Sequence, residues 1–191
     1  MDKGRVEAFS DGVIAVIITI MLLELHPPHE AAWGALLEVA HPFFAYVLSF
    51  IYIGIYWNNH HHTFQVIEHV NGPVLWANNF LLFCLSLVPF ATSWMGESEF
   101  AVVPTVFYGI VTFLPGLGYF VLANTLVKLH GPGSTLARAM GRGKKEWLSL
   151  VLYALGIAGA FVHPFIAFGF YMAVAAMWLI PDRRIERELA A

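Results

Sequence analysis

Two polar groups interrupt the apolar segments of this chain, and they are the places where chemistry could occur. The first is Ser10-Asp11, inside an apolar run of about 20 residues that begins after Arg5. A carboxylate within a membrane span costs roughly 2.5–3.5 kcal/mol at the centre of the bilayer. Asp11 therefore needs a partner or water, and it could either brace a helix or bind a proton or a cation.

The second group is the run Asn58-Asn59-His60-His61-His62, which follows Tyr56-Trp57. Three histidines suggest a metal ion, but successive side chains of a helix diverge by about 100° and cannot converge on one ion. A membrane di-metal oxygenase would also need several separated histidine clusters, and the chain has this one. Two interpretations stay open. The run is either a helix end in the headgroup region with Trp57 as its anchor, or part of a polar clasp, meaning a set of buried hydrogen bonds between helices.

In the clasp interpretation, one or two imidazoles meet Asp11 and an asparagine from another span. Asn78 and Asn79, in the segment Leu75-Trp76-Ala77-Asn78-Asn79, are the available amides. Interhelical hydrogen bonds in membranes average about 0.6 kcal/mol. We therefore expect a clasp to fix the orientation of helices and to have no catalytic role.

A third segment, Thr105-Val106-Phe107-Tyr108-Gly109, differs by one residue from the potassium filter sequence TVGYG. Such a filter presents a row of backbone carbonyl groups from a re-entrant loop. Phenylalanine replaces the central glycine here, and positive φ is strongly disfavoured for a bulky residue. The segment is therefore predicted to open an ordinary helix.

The composition is that of an integral membrane protein. Of the 191 residues, 59% are hydrophobic and only 12% are charged, whereas soluble domains contain about 25% charged residues. A soluble fold, a disordered chain and a disulfide scaffold are excluded, the last because Cys84 is the single cysteine. No basic block suitable for nucleic acid occurs, so the lipid bilayer is an expected partner and nucleic acid is not.

Hydropathy predicts an all-α polytopic protein, one domain over residues 1–191, with six spans at about 6–25, 42–62, 74–95, 101–126, 147–162 and 165–180. Five spans would result if the last two were a single tilted helix, but His163-Pro164 is the expected corner between them, because proline disfavours a helical residue before it. Six spans with a cytoplasmic N-terminus place every basic residue on the cytoplasmic side, whereas five would place the C-terminal arginines outside. Six spans with both termini in the cytoplasm are therefore predicted. The basic residues are Lys3, Arg5, Lys128, Arg138, Arg142, Lys144, Lys145, Arg183, Arg184 and Arg187.

The first span has one purely apolar face. At 100° per residue, five side chains fall within about 40° of one line, whereas Asp11 and Ser10 point about 140° and about 120° away on opposite sides. The stripe could pack into the bundle or against lipid. Alternatively, several copies could line a pore that closes by dewetting. The stripe consists of Phe9, Gly12, Val16, Ile20 and Leu23.

These motifs resemble the bacterial relatives of the endolysosomal potassium channel transmembrane protein 175. The resemblance rests on three patterns in the right order and covers roughly residues 5–95. The patterns are Arg5-x-x-x-Phe9-Ser10-Asp11, Tyr56-Trp57-x-x-His60-His61-x-x-Phe64, and Leu75-Trp76-x-Asn78 with Leu87-x-Pro89-Phe90.

The resemblance implies a six-helix subunit and a homotetramer in the plasma membrane, the inner one in bacteria, whose first helices line a potassium-permeable pore without a TVGYG loop. The narrowest constriction would fall on Val16, further pore layers on Ile20 and Leu23, and a selectivity hydroxyl on Thr19. Neither an enzyme activity, a cofactor nor a structural metal is implied, and K⁺ is the permeant ion. The polar network would comprise Arg5, Phe9, Ser10, Asp11, Trp57, His60, His61 and Asn78.

The predicted function is therefore passive conduction of K⁺ through a tetrameric pore gated by apolar side chains of the first helix. The principal alternative is a secondary transporter in which Asp11 couples transport to a proton or cation. A histidine-dependent membrane enzyme and a purely structural membrane protein are the remaining alternatives. A valine at the constriction is smaller than the bulkier aliphatic residues, which leaves the diameter of the closed pore open.

Overall fold

The computed structural model describes residues 2–140 and 144–179, with side chains at all but positions 139, 140, 144 and 146. The prediction of an all-α chain is confirmed for these residues. The helices are α1 (Gly4–Leu23), α2 (Ala40–Gln65), α3 (Gly72–Ser86), α4 (Val88–Glu97), α5 (Val102–His130), α6 (Thr135–Met140), α7 (Lys144–Ala160) and α8 (Pro164–Leu179), with a 3₁₀ helix at Trp33–Leu37.

Four helical segments are long and apolar enough to cross a membrane: Gly4–Leu23, Ala40–Gln65, Gly72–Glu97 and Val102–His130. Trp147–Ala160 and Pro164–Leu179 are shorter apolar helices. The count of six spans therefore stays a prediction. The chain turns between α7 and α8 at residues 161–163, beside the expected corner at His163-Pro164. Arg142 and the arginines at 183, 184 and 187 lie outside the described residues.

The third predicted span is divided at Leu87 into α3 and α4. Pro89 stands in the first turn of α4 and has no N–H to donate to a carbonyl one turn earlier. The N–H of Leu87 instead bonds to the Cys84 carbonyl at 3.3 Å, which tightens the end of α3. Both helices belong to the apolar segment Gly72–Glu97, which covers the predicted span 74–95.

The α1 helix packs against α2, α3 and α4 through a single face. Its buried residues recur every three or four positions, which is the spacing of one helical stripe. The opposite side of α1 is exposed within the described part of the chain. The buried residues are Val6, Ser10, Ile14, Ile17 and Met21.

Tyr171 joins the second half of the chain to the first. Its ring fills a slot in which Gly109 of α5 and Gly156 of α7 leave room that no larger residue would leave. Its hydroxyl donates to the Thr105 carbonyl at 3.2 Å, and its own carbonyl accepts from the Tyr52 hydroxyl at 2.8 Å. The contacts hold α8 against α2 and α5 and complete the bundle around the helices that carry the site.

Candidate functional site

A buried chain of hydrogen bonds joins α1, α3 and α2. The Ser10 hydroxyl donates to the Val6 carbonyl at 2.8 Å and accepts the Asn78 amide N–H at 2.9 Å. The Asn78 carbonyl oxygen lies 2.8 Å from Nε2 of His60, so the imidazole must be the donor there. All three side chains are fully buried, and the His60 ring stacks on Phe64. We call this set, Ser10, Asn78 and His60, the clasp.

Asp11 is bound by an indole and has no contact with an imidazole. Nε1 of Trp57 donates to Oδ1 of Asp11 at 2.9 Å. The indole in turn stacks on the His61 ring, one turn further along α2, and Nε2 of His61 lies 2.8 Å from the Gln65 amide. The hydrogen bond to Asp11 thus comes from the indole, whereas the imidazole of His60 bonds to the asparagine Asn78.

Other residues of the predicted network lie outside these contacts. Arg5 is exposed and makes no hydrogen bond within the described part of the chain, and Phe9 is also exposed. Asn79 is exposed beside the buried Asn78. Nδ1 of His62 is buried without a hydrogen-bond partner among the described residues. The structure therefore brings His60, rather than the histidine triplet as a unit, into the clasp.

Lys3, directly before α1, binds the end of α2, a contact that the sequence did not indicate. Its ammonium group donates to the carbonyls of Phe64 and Gln65 at 2.7 and 3.2 Å. These carbonyls belong to the last turn of α2, where a cation is favoured by the unpaired acceptors and the helix dipole. Sixty residues separate the partners, so no local pattern could have indicated the contact.

The predicted stripe lies on the exposed side of α1. Val16, Ile20 and Leu23 are 55%, 41% and 77% exposed, whereas Ile14 and Ile17 are 2% and 3% exposed. The Thr19 hydroxyl donates to the Val16 carbonyl at 2.9 Å. With its proton engaged by the helix, the Thr19 oxygen can offer lone pairs to a cation.

A groove of about 1190 Å³ runs along the same side of α1, between α1 and α4. Most of its wall is apolar, and serine and glutamate side chains cluster at its far end. The Ser93 hydroxyl lies 3.3 Å from Oε2 of Glu24 and 3.0 Å from Oε1 of Glu97. The groove is lined by Ala8, Phe9, Gly12, Val13, Val16, Ile17, Ile20, Glu24, Ser86, Pro89, Phe90, Ser93, Trp94 and Glu97.

The segment Thr105–Gly109 lies within the regular helix α5. Tyr108 is fully buried and its hydroxyl lies 2.9 Å from Oγ of Ser49, in a contact with α2. Among residues 2–140 and 144–179, no three histidine, cysteine or acidic side chains lie together as a metal site would require.

Residues 5–89, which hold the stripe and the clasp, match the family described as endosomal/lysosomal potassium channel TMEM175. A protein from Chryseobacterium sp. (strain P1-3), named as a potassium channel, is 52% identical over 189 residues, which are 99% of this chain and 98% of that protein. The chain belongs to the TMEM175 family. Its fold is the TMEM175 channel fold: the crystal structure of a lysosomal potassium-selective channel TMEM175 homolog from Chamaesiphon minutus superposes with a TM-score of 0.81 at 25% identity, covering 94% of this chain and 97% of that one.

An animal member of the TMEM175 family is also similar. The Gallus gallus protein, named as an endosomal/lysosomal proton channel, is 28% identical over 180 residues, or 84% of this chain and 36% of that protein. Since the relatives are named as channels, the TMEM175 chain is not an enzyme.

Proposed function

We propose that this TMEM175 protein is a potassium-permeable channel in the plasma membrane. Four copies surround one axis, and their α1 helices form the wall of the ion path. The names of the bacterial relatives support potassium as the permeant ion. A single six-span chain with one apolar stripe supplies one wall of a pore, so the complete pore requires rotational assembly.

The division of α1 into a buried face and an exposed stripe is the observation that carries the proposal. Three helices of the same chain cover the face that contains Ile14 and Ile17, and the clasp fixes the rotation of α1 about its own axis. Val16, Ile20 and Leu23 consequently face away from their own bundle. A helix whose rotation is fixed by buried polar contacts can present the same side chains to an axis in every copy.

The gate operates through the apolar stripe. Rings of Val16, Ile20 and Leu23 exclude a hydrated K⁺ when the four helices are close, because apolar constrictions dewet. When the helices separate or rotate, the path fills with water and the ion passes. The oxygens of Thr19 then replace part of the hydration shell of the ion, since their own protons are engaged by α1.

In this proposal, the selection of K⁺ over other cations does not require a TVGYG loop. Thr105–Gly109 lies inside α5, where the backbone carbonyls accept helical hydrogen bonds and are not presented to an ion. The burial of Tyr108 against Ser49 also directs this segment into the bundle. Both observations support conduction along α1.

The topology of the proposal has six spans with both termini in the cytoplasm. Helices α7 and α8, of 17 and 16 residues, are about 24–26 Å long, a few ångströms less than the apolar core of a bilayer. Local thinning of the bilayer or interfacial anchors can accommodate such a mismatch. The distribution of basic residues in the sequence supports the same orientation.

The experiment that tests the function is a measurement of reversal potentials in vesicles that contain the purified protein under K⁺ and Na⁺ gradients. Substitutions Val16→Asn and Ile20→Asn should each raise the conductance, because an amide wets the constriction. Val151→Asn, at a comparably exposed valine of α7, is the matched control and should leave the conductance unchanged. Equal conductance of the wild type and both stripe variants would exclude this face from the pore.

A further inference from the structure

We infer that Ser49, Thr92 and Tyr108 are positioning residues for the C-terminal half of α1, which is the outer half of the proposed ion path. Their buried hydroxyl groups are joined by hydrogen bonds that hold α4, and α4 supports this half of α1 on its buried face. The inference rests on the proposed function and gives the outer half of α1 a support separate from the clasp. We call these three residues the hydroxyl network.

The first argument is that every proton of the hydroxyl network has an acceptor. Oγ1 of Thr92 donates to the Val88 carbonyl at 2.7 Å, which uses its only proton. Oγ of Ser49 lies 2.7 Å from Oγ1 of Thr92 and must therefore be the donor in that contact. The Tyr108 hydroxyl, 2.9 Å from Oγ of Ser49, donates in turn. All three side chains are buried, so a lost partner would leave an unsatisfied polar group.

The second argument is that α3 does not by itself fix the direction of α4. The two helices are divided at Leu87, and Pro89 has no N–H to bond to a carbonyl one turn earlier. Prolines are where long helices bend sharply. The direction of α4 therefore depends on its packing against α2 and α5, the helices that carry Ser49 and Tyr108.

The third argument is a close backbone contact one turn beyond Thr92. Gly96 of α4 is buried, and a methyl group added there would lie 2.7 Å from Cα of Pro42, at the start of α2. Positions four apart share one face of a helix, so Thr92 and Gly96 both face α2. Small residues allow two membrane helices to approach this closely. The hydroxyl network and the glycine contact together fix both the distance and the rotation of α4 relative to α2.

The fourth argument is the contact between the hydroxyl network and α1. Oγ1 of Thr92 lies 4.0 Å from Sδ of Met21, which is buried on the face of α1 opposite the stripe. Met21 directly follows Ile20, and Leu23 is two positions further on. Ser10 of the clasp lies eleven positions before Met21, about 16 Å along the helix. The clasp and the hydroxyl network therefore support different ends of α1.

Two supports give the two halves of the ion path separate control. The clasp fixes the rotation of α1 at its inner end, and the hydroxyl network fixes the distance of the Ile20 and Leu23 rings from the axis. Because α4 packs on the buried side of α1, a displaced α4 lets the outer end of α1 move away from the axis. Loss of the hydroxyl network should thus widen the outer rings and leave the inner end in place.

The test is a measurement of distances between copies by double electron–electron resonance, in the full chain with Cys84→Ala. A spin label at Leu23→Cys reports the outer end of α1 and one at Phe9→Cys reports the inner end, since both side chains are exposed. Thr92→Val should lengthen and broaden the distances at Leu23 and leave those at Phe9 unchanged. Thr92→Ser keeps the hydroxyl and should give the wild-type distances at both positions.

The matched control is Thr112→Val in α5. Thr112 is also buried, but its hydroxyl donates only to carbonyls of its own helix, those of Tyr108 and Gly109. Thr112→Val should therefore change neither distance.

A second variant, Ser49→Ala, removes the hydroxyl between α2 and α4 and leaves the bond from Thr92 to Val88 intact. It should shift the Leu23 distances in the same direction as Thr92→Val. In vesicles, either variant of the hydroxyl network should raise the K⁺ conductance by about fivefold, the effect of one net hydrogen bond on an equilibrium. The conductance of Thr112→Val should equal that of the wild type.

Two results would overturn the inference and leave the proposed function standing. If Thr92→Val and Ser49→Ala lower the melting temperature but preserve the Leu23 distances and the conductance, the hydroxyl network stabilises the bundle without positioning α1. If the distances at Leu23 and Phe9 change equally, the outer half of α1 has no support of its own. A different result, in which the labelled protein shows no distance between copies and no K⁺ flux, would reject the tetrameric pore and the inference with it.

Discussion

The Asn78 amide donates to the Ser10 hydroxyl at 2.9 Å, and both groups are buried between α1 and α3. Because the Asn78 carbonyl also accepts from His60, one asparagine determines how α1 is rotated relative to two other helices. Rotation by even one residue, about 100°, would remove the stripe from the exposed side. In the proposed channel, conduction along α1 therefore depends on contacts made at the back of that helix.

Asn78→Ala should destabilise the protein by about 1–3 kcal/mol, since the Nε2–H of His60 would be buried without an acceptor. Thermal unfolding in detergent measures the loss. Asn79→Ala is the matched control, because the adjacent amide is exposed, and it should leave the melting temperature unchanged. Equal melting temperatures for the two variants would mean that the clasp contributes no stability.

Asp11→Asn should leave both assembly and K⁺ conduction intact, because the amide oxygen can still accept the hydrogen bond from the Trp57 indole. Asp11→Leu removes that acceptor and should reduce the yield of tetramer. Chromatography of the solubilised protein, combined with ion flux in vesicles, measures both quantities. If Asp11→Asn assembles normally but abolishes flux, the carboxylate itself binds the transported ion, as the transporter alternative requires.

Gly109→Ala should weaken the bundle by about 1–3 kcal/mol, because the added methyl carbon would overlap the Tyr171 hydroxyl oxygen and lie 2.6 Å from the Tyr171 ring. Gly169→Ala, in α8, is the matched control, since a methyl group there meets nothing within 4 Å. Its higher helix propensity should make that variant as stable as the wild type or slightly more so. Denaturation curves monitored by tryptophan fluorescence distinguish the two variants. Equal destabilisation by both substitutions would contradict the close packing of Tyr171 against Gly109.

Much of the fold follows from the sequence because the signals are local. Apolar runs of about 20 residues gave the long helices, and His163-Pro164 indicated the turn between α7 and α8. The hydroxyl and amide of the clasp were also recognisable, since buried polar groups in an apolar run require partners. The resemblance to a known family identified the same residues from their order along the chain.

The contacts that could not be predicted join residues distant in sequence or depend on side-chain size. The indole of Trp57 occupies the place expected for an imidazole beside Asp11, which is decided by the distance between two helices. The ammonium of Lys3 caps α2 across more than 60 positions. The break at Leu87 results from Pro89. The residues around this proline do not indicate whether the helix bends there or divides into two.

Thr19→Val should lower the preference for K⁺ over Na⁺ without altering the fold or the assembly. Valine has nearly the same shape as threonine, and the hydroxyl makes its hydrogen bond only to the Val16 carbonyl of its own helix. The matched control is Thr125→Val in α5, whose hydroxyl likewise donates to a carbonyl of its own helix, that of Val121. Reversal potentials under bi-ionic conditions should shift for Thr19→Val and not for Thr125→Val. If Thr19→Val conducts with an unchanged reversal potential, the hydroxyl of Thr19 does not contact the ion. The ion would then pass only the apolar side chains of α1.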